Sequence, residues 1–286
     1  MTCGPLQREQ PKSLSPRPDA PATIHVVRYR IAAILLCAST AFAQANPSSA
    51  EARANQQKAR AVIDRMIRAL GGEAYLSLRD FEAEGRVGRF SRGTSEGATL
   101  VWRFWRWPDK ERSEYTRQRD VVLLFDGNAA YEITFRGTRV LDATREPELF
   151  LKLERRRHAL EIVLRQWLDR PGTVFFDEGP SLTENHSTER ITIINADSDA
   201  VTLAVDTETH LPVKKTFISR EPQTRNRNEV AEVYDNWKVI QGIATPYNTL
   251  VLRNGDLIAQ EFLGTIAYNR NLPDSLFSPV SKVPSH

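Results

Sequence analysis

The chain has 286 residues, with 39 Lys and Arg against 36 Asp and Glu, a formal net charge of +3. The excess lies before residue 44, and the 243 residues that follow carry 34 charges of each sign. That balance excludes an electrostatic case for nucleic-acid binding, while the length suffices for one large β-rich domain with a full core.

The N-terminus reads as an export leader. Arg28 and Arg30 precede an apolar run from Ile31 to Cys37, and Ala41-Phe42-Ala43 places small residues at the −3 and −1 positions of a cleavage site. Basic flank, short apolar core and A-x-A ending are the parts of a secretory signal peptide. The run is shorter than the roughly 20 residues a permanent membrane helix needs. Residues 1–23 hold Pro5, Pro11, Pro16, Pro18 and Pro21 with no periodic apolar pattern, so disorder is expected there. Both cysteines, Cys3 and Cys37, fall in this leader. A mature chain starting at Gln44 therefore has no disulfide, thiol nucleophile or cysteine metal site. Residues 44–286 are expected to form a single periplasmic domain.

The first element after the leader is a helix over Ser49–Leu70. Ala59, Val62, Ile63, Met66, Ile67 and Leu70 recur at helical spacing, and Gly71-Gly72 end it. The period then changes to two. Strands are expected over 81–87, 98–107, 111–117, 121–125, 130–135 and 139–141, with Asp126-Gly127-Asn128 and Arg136-Gly137-Thr138 as turns. A second helix is expected over Pro147–Leu168, with Pro147 in its first turn and Pro171-Gly172 past its end. Its apolar stripe is Leu149, Leu153, Leu160, Val163, Leu164 and Trp167, and Arg155, Arg156, Arg157 and Arg165 lie largely away from it. Such a helix is read as one packed over a sheet with a solvated basic face; a lid over a cavity needs the same stripe. Strands resume over 173–177, 189–195, 200–206, 213–219, 229–237, 244–253 and 256–268, with a polar loop at 220–228. Runs of hairpins interrupted by one helix indicate an α+β fold with a large antiparallel sheet.

No catalytic signature is present: there is no G-x-S-x-G, G-x-G-x-x-G, G-x-x-x-x-G-K or H-E-x-x-H. His158, His186, His210 and His286 show no metal-ligand spacing and read as surface histidines. No cofactor and no enzymatic activity are expected; a hydrolase with an unrecognised site is the weaker alternative. The strongest local feature is aromatic. Trp102 and Phe104 share one face of their strand with Leu100, and Trp105 and Trp107 share the other.

The order of parts resembles the LolA/LolB-like carriers of outer-membrane lipoproteins. The resemblance rests on the first helix closing on Ala69-Leu70-Gly71-Gly72, the D-G-N-x-x-Y turn at Asp126–Tyr131, and D-x-x-T-x-L-P at Asp206, Thr209, Leu211 and Pro212. It continues in a C-terminal series of Gly242, Pro246, Asn254-Gly255, Asn269, Leu272 and Phe277. It implies a large curved antiparallel sheet, an unclosed barrel, with an N-terminal helix and one inserted helix packed on the concave face. It also implies a periplasmic, monomeric carrier of lipid or acylated protein, with membrane-protein donors and acceptors. The wall of an apolar cavity is then assigned to Trp102, Phe104, Val121, Leu123, Phe125, Leu153, Leu160 and Leu164. An ordinary packed core is the alternative for each of these residues. An envelope-stress sensor or partner-binding module on the same fold is the alternative for the whole.

Overall fold

The computed structural model describes residues 49–279. The leader, its cleavage position after Ala43, both cysteines and His286 lie outside these residues. Helix α1 spans Ser49–Leu70 and buries Ala59, Val62, Ile63, Met66 and Leu70. Each aliphatic side chain so buried contributes about 1.5–3 kcal/mol, so the apolar stripe and not propensity holds this helix. Its end needs glycine: Gly71 has φ 129°, and a Cβ there would meet the Gly242 carbonyl at 2.6 Å. A short turn, α2 (Glu73–Leu76), follows.

Thirteen strands then form one sheet: β1 (Asp80–Ser91), β2 (Thr94–Arg106), β3 (Lys110–Tyr115), β4 (Val121–Asp126), β5 (Ala129–Thr134) and β6 (Gly137–Leu141), then β7 (Val174–Thr183), β8 (His186–Ile194), β9 (Ala200–Asp206), β10 (Pro212–Arg220), β11 (Arg227–Ile240), β12 (Ile243–Arg253) and β13 (Asp256–Tyr268). Every pairing is antiparallel, and the order is 6-5-4-3-2-1-13-12-11-10-9-8-7. Two meanders are thus joined where β1 meets β13, Phe81 opposite Tyr268. Tight turns with both central residues at positive φ set the register at Glu184-Asn185, Gln241-Gly242 and Asn254-Gly255.

The order has a consequence for the inserted helix. β6 and β7 are the two edges of the open sheet, so the chain between them must travel from one edge to the other. It does so across the concave face. The expected single helix is broken in two, with α3 at Pro147–Arg157 and α4 at Leu160–Ile162, the latter running into a π-turn at Val163–Trp167. The break has a tertiary cause. His158 is 2% exposed, stacks on Phe217 at 4.3 Å and bonds through Nδ1 to the Glu154 carbonyl at 2.7 Å, while Ala159 turns extended. The expectation of a surface histidine is therefore corrected at His158. Trp167 meets the same imidazole edge-on, so a buried ring is stacked where the helical pattern alone continues. The expectation of a solvated basic face on this helix is corrected as well. Arg155 and Arg156 are largely buried against the sheet.

The main core fills the concave face with α1, the π-turn and the inward residues of β8–β11. A second, smaller core lies on the convex face, where Val122, Leu124 and Ile133 are covered by Leu272, Leu276 and Phe277. Asp80 anchors this C-terminal strap by accepting the backbone N–H groups of Arg270 (2.6 Å) and Leu272 (3.3 Å). Asn269 and Asn271 take the left-handed conformation that turns the chain back over the sheet. The N-x-x-L-x-x-x-x-F pattern is thus a strap that seals the outside of β3 and β4.

Candidate functional site: a cavity under the crossover helices

Helix α1 covers the concave face near β7 and β8, where Asn55 clasps the bulge in β7 by donating to the Asp177 carbonyl (2.7 Å) and accepting from its N–H (2.9 Å). Over β1, β2, β12 and β13 the face is left to the crossover helices. They roof an open cavity of about 920 Å³, at the upper end of the roughly 300–1,000 Å³ usual for small-molecule sites. Much of its wall is apolar: Phe81, Val101, Trp105, Leu123 and Phe125 from the first meander, Leu263 and Ile266 from β13, and Leu151, Leu153 and Leu160 from the crossover. Phe81 stacks on Trp105 at 5.5 Å.

The remainder is charged. Glu261 on β13 accepts both terminal nitrogens of Arg103 at 3.1 Å and Nη1 of Arg155 at 2.9 Å. Glu232 on β11 accepts Arg155 Nε (2.7 Å) and the Tyr234 hydroxyl (2.9 Å), with Lys215 Nζ at 2.8 Å. Glu111 on β3 sits between Arg156 (3.2 Å) and Arg103 (3.8 Å). The network therefore ties α3 to five strands. Arg103 reaches from β2 to β13 across β1, where Gly85 occupies a bulge and lays no side chain in the way. A Cβ at Gly85 would meet the Phe262 carbonyl at 2.3 Å.

Burial pushes the Glu261 carboxyl up, but Arg103 and Arg155 outweigh it and leave it lowered to about 2. The same contest at Glu232, against Lys215 and Arg155, ends far below the usual carboxylate range. Glu161, which also lines the cavity, forms no ion pair among the described residues, and burial pushes its carboxyl up against the weaker pull of Lys215 and Arg165. Buried ion pairs seldom add net stability over apolar packing. Their effect here is positional: they fix the height of α3 above the sheet. Among the described residues no cluster of three or more His, Cys, Asp or Glu side chains could hold a metal ion, and no helix is long and apolar enough to cross a membrane.

No protein-family model matches this sequence, and no curated protein matches it. Solved structures do. A DUF1329 family protein from Desulfovibrio piger superposes with a TM-score of 0.54 at 11% identity, covering 77% of this chain and 97% of its own. A domain from Vibrio parahaemolyticus named for outer membrane lipoprotein sorting gives 0.54 at 10% identity, covering 78% and 97%. A LolA superfamily protein from Nitrosomonas europaea gives 0.51 at 11% identity, covering 77% and 97%. The fold is LolA-like. The unclosed antiparallel sheet with an N-terminal helix and a crossover on its concave face is the arrangement expected from the order of motifs.

Within this LolA-like fold the eight residues assigned to the cavity wall separate. Leu123, Phe125, Leu153 and Leu160 line the cavity. Val121 shares their face of β4, by its parity with Leu123 and Phe125, but lies at the strand end beyond the cavity. Leu164 is 3% exposed and packed in the main core. Trp102 and Phe104 lie on the opposite side of the sheet. Phe104 packs against the outer cluster under the C-terminal strap, and the Arg119 guanidinium sits 5.2 Å from the Trp102 ring and 5.7 Å from the Phe104 ring. The alternation was readable, but both faces of β2 are apolar because both are covered, so periodicity offered no sign of which face is inner. The side chains that line the cavity from β2 are Val101, Arg103 and Trp105. The charged network was missed altogether. Its one sequence signal is a basic run on a helix beside acidic residues inside apolar strands, as at Glu232 and Glu261.

Proposed function

We propose that this chain is an exported, periplasmic carrier that shelters a lipid, or the acyl chains of a lipidated protein, between its sheet and its crossover helices. It takes its load from one membrane-protein partner and passes it to another, acts as a monomer, performs no chemistry and binds no nucleic acid. One observation carries the reading: the cavity lies on the concave face beneath the crossover helices, and much of its wall is apolar. Acyl chains offer nothing but apolar area, and each buried CH₂ contributes about 0.8 kcal/mol. A dozen methylenes therefore yield gross binding on the order of 10 kcal/mol without a directional contact. Supporting it, one solved structure of the same fold is named for outer membrane lipoprotein sorting. The leader read from residues 28–43 supplies the export signal.

Native mass spectrometry of the mature chain, purified gently from the periplasm, tests the reading. The expected spectrum shows the chain with an added lipid mass that is lost on mild activation. A clean unliganded mass that takes up neither added phospholipid nor acylated peptide would refute it.

A further inference from the structure

One cation of the cavity wall beneath α3 has no carboxylate partner among the described residues. Arg103, Arg155, Arg156 and Lys215 share Glu111, Glu232 and Glu261. Lys152 also lines the cavity. It lies three and four residues before Arg155 and Arg156, on the same stripe of α3. Among the described residues its Nζ has no carboxylate within 4.0 Å; it donates to the Tyr115 hydroxyl at 3.3 Å and lies 5.3 Å from that ring. The nearest acid on its own helix face, Glu148, is paired with Arg89 at 2.8 Å. Two guanidinium nitrogens of the cluster, Arg103 Nε and Arg156 Nη1, are buried without a hydrogen-bond partner among the described residues. An ammonium with no carboxylate partner, beside an apolar wall, is suited to an anion attached to a hydrocarbon chain.

We propose that the ligand is an anionic amphiphile, its carboxylate or phosphate head held by Lys152, Tyr115 and Arg103 while its chain lies along Phe81, Val101 and Trp105. This rests on the carrier reading and narrows it from any acyl chain to one with an acidic head. Tyr115 stands opposite Val101 in the register of β2 and β3, and Arg103 follows two residues along the same face. Head and chain contacts are therefore adjacent on one surface. A neutral ester with the same chain fills the same wall but leaves Lys152 unmatched.

The test is displacement of the uncharged fluorophore N-phenyl-1-naphthylamine from the mature chain by oleate, by methyl oleate and by inorganic phosphate, below micellar concentrations. A charge-assisted hydrogen bond is worth about 1.5–3 kcal/mol, so oleate should displace the probe about 10- to 100-fold more effectively than its ester. Lys152→Met should bring oleate down to the level of the ester while leaving the ester unchanged, and Lys152→Arg should restore most of the difference. Equal displacement by oleate and ester overturns the anionic head and leaves the carrier reading intact. Equal weakening of both ligands by Lys152→Met overturns the assignment of Lys152. Displacement by inorganic phosphate alone overturns the amphiphile in favour of a free anion. Failure of the probe, oleate and ester all to bind overturns this inference together with the carrier reading.

Discussion

Replacing Glu232 by glutamine removes one charge and almost no volume, and it should be among the most damaging single changes in the chain. Glu232 is the carboxylate partner of Lys215, whose side chain is 1% exposed, with Nζ 2.8 Å away. Arg155 would keep Glu261; Lys215 would keep no carboxylate within 4.0 Å among the described residues. Its remaining neighbours include the Glu161 carboxyl, which acts on it through space without forming an ion pair, and the Phe217 ring at 5.9 Å. Removing one member of a buried pair costs about 3–5 kcal/mol because the other stays charged and desolvated. With a urea slope on the order of 3 kcal/mol/M, the midpoint at pH 7 should fall by roughly 1–2 M. The double variant Lys215→Met/Glu232→Gln removes the stranded charge and should recover most of that loss. Urea titrations of the three proteins, followed by tryptophan fluorescence, decide the matter. A loss below about 1 kcal/mol for the single variant, the range of an exposed pair, would refute the reasoning. So would a double variant no more stable than the single.

Other consequences are independent of that pair. Burial lowers the His158 pKa, so the folded state binds fewer protons there than the unfolded state, and stability should decline as pH falls through about 6.5. His158→Phe should flatten that decline in melting scans between pH 5 and 7. The opposite slope from Glu154 and Glu161, whose carboxyls burial pushes up, is common to both proteins and cancels in the comparison. Gly85→Ala forces a Cβ against the Phe262 carbonyl and should cost about 1–3 kcal/mol, as overpacking does; an unchanged melting temperature would contradict the bulge. Phe277→Ala opens the outer core, where Phe277 is 1% exposed, and should cost about 3–5 kcal/mol. Lipid uptake by the folded fraction of that variant should remain unchanged, since the strap lies on the far side of the sheet.

Much of the fold was readable because it is local. Helix α1 has the bounds its periodicity and paired glycines indicate. The Asn254-Gly255 turn and the turn at Gly127 fall where these residues at positive φ require them. Asp206 organises its turn as the D-x-x-T-x-L-P pattern implies, accepting the N–H groups of Glu208 (2.9 Å) and Thr209 (2.7 Å). The hairpin between β7 and β8 is longer than the sequence indicates, because Glu184-Asn185 lacks glycine and yet both residues adopt positive φ. What could not be read depends on partners distant in the chain. The break at His158 is made by Phe217, 59 positions away by number. The burial of Arg155 is decided by Glu232 and Glu261. The inner face of β2 is decided by residues 272–277, which cover the other one. Each is a contact whose two halves look unremarkable apart.

The face of β2 that meets the ligand can be observed directly by short-range quenching of tryptophan with a brominated fatty acid. Trp105 lines the cavity with Trp167 and Trp237, whereas Trp102 lies on the convex side beneath Arg119. The wild-type chain should be quenched on saturation. Trp105→Phe should remove part of the quenchable signal, and Trp102→Phe should leave it intact. Quenching that survives Trp105→Phe in full and falls with Trp102→Phe would place the ligand outside the sheet and contradict a carrier built around this cavity.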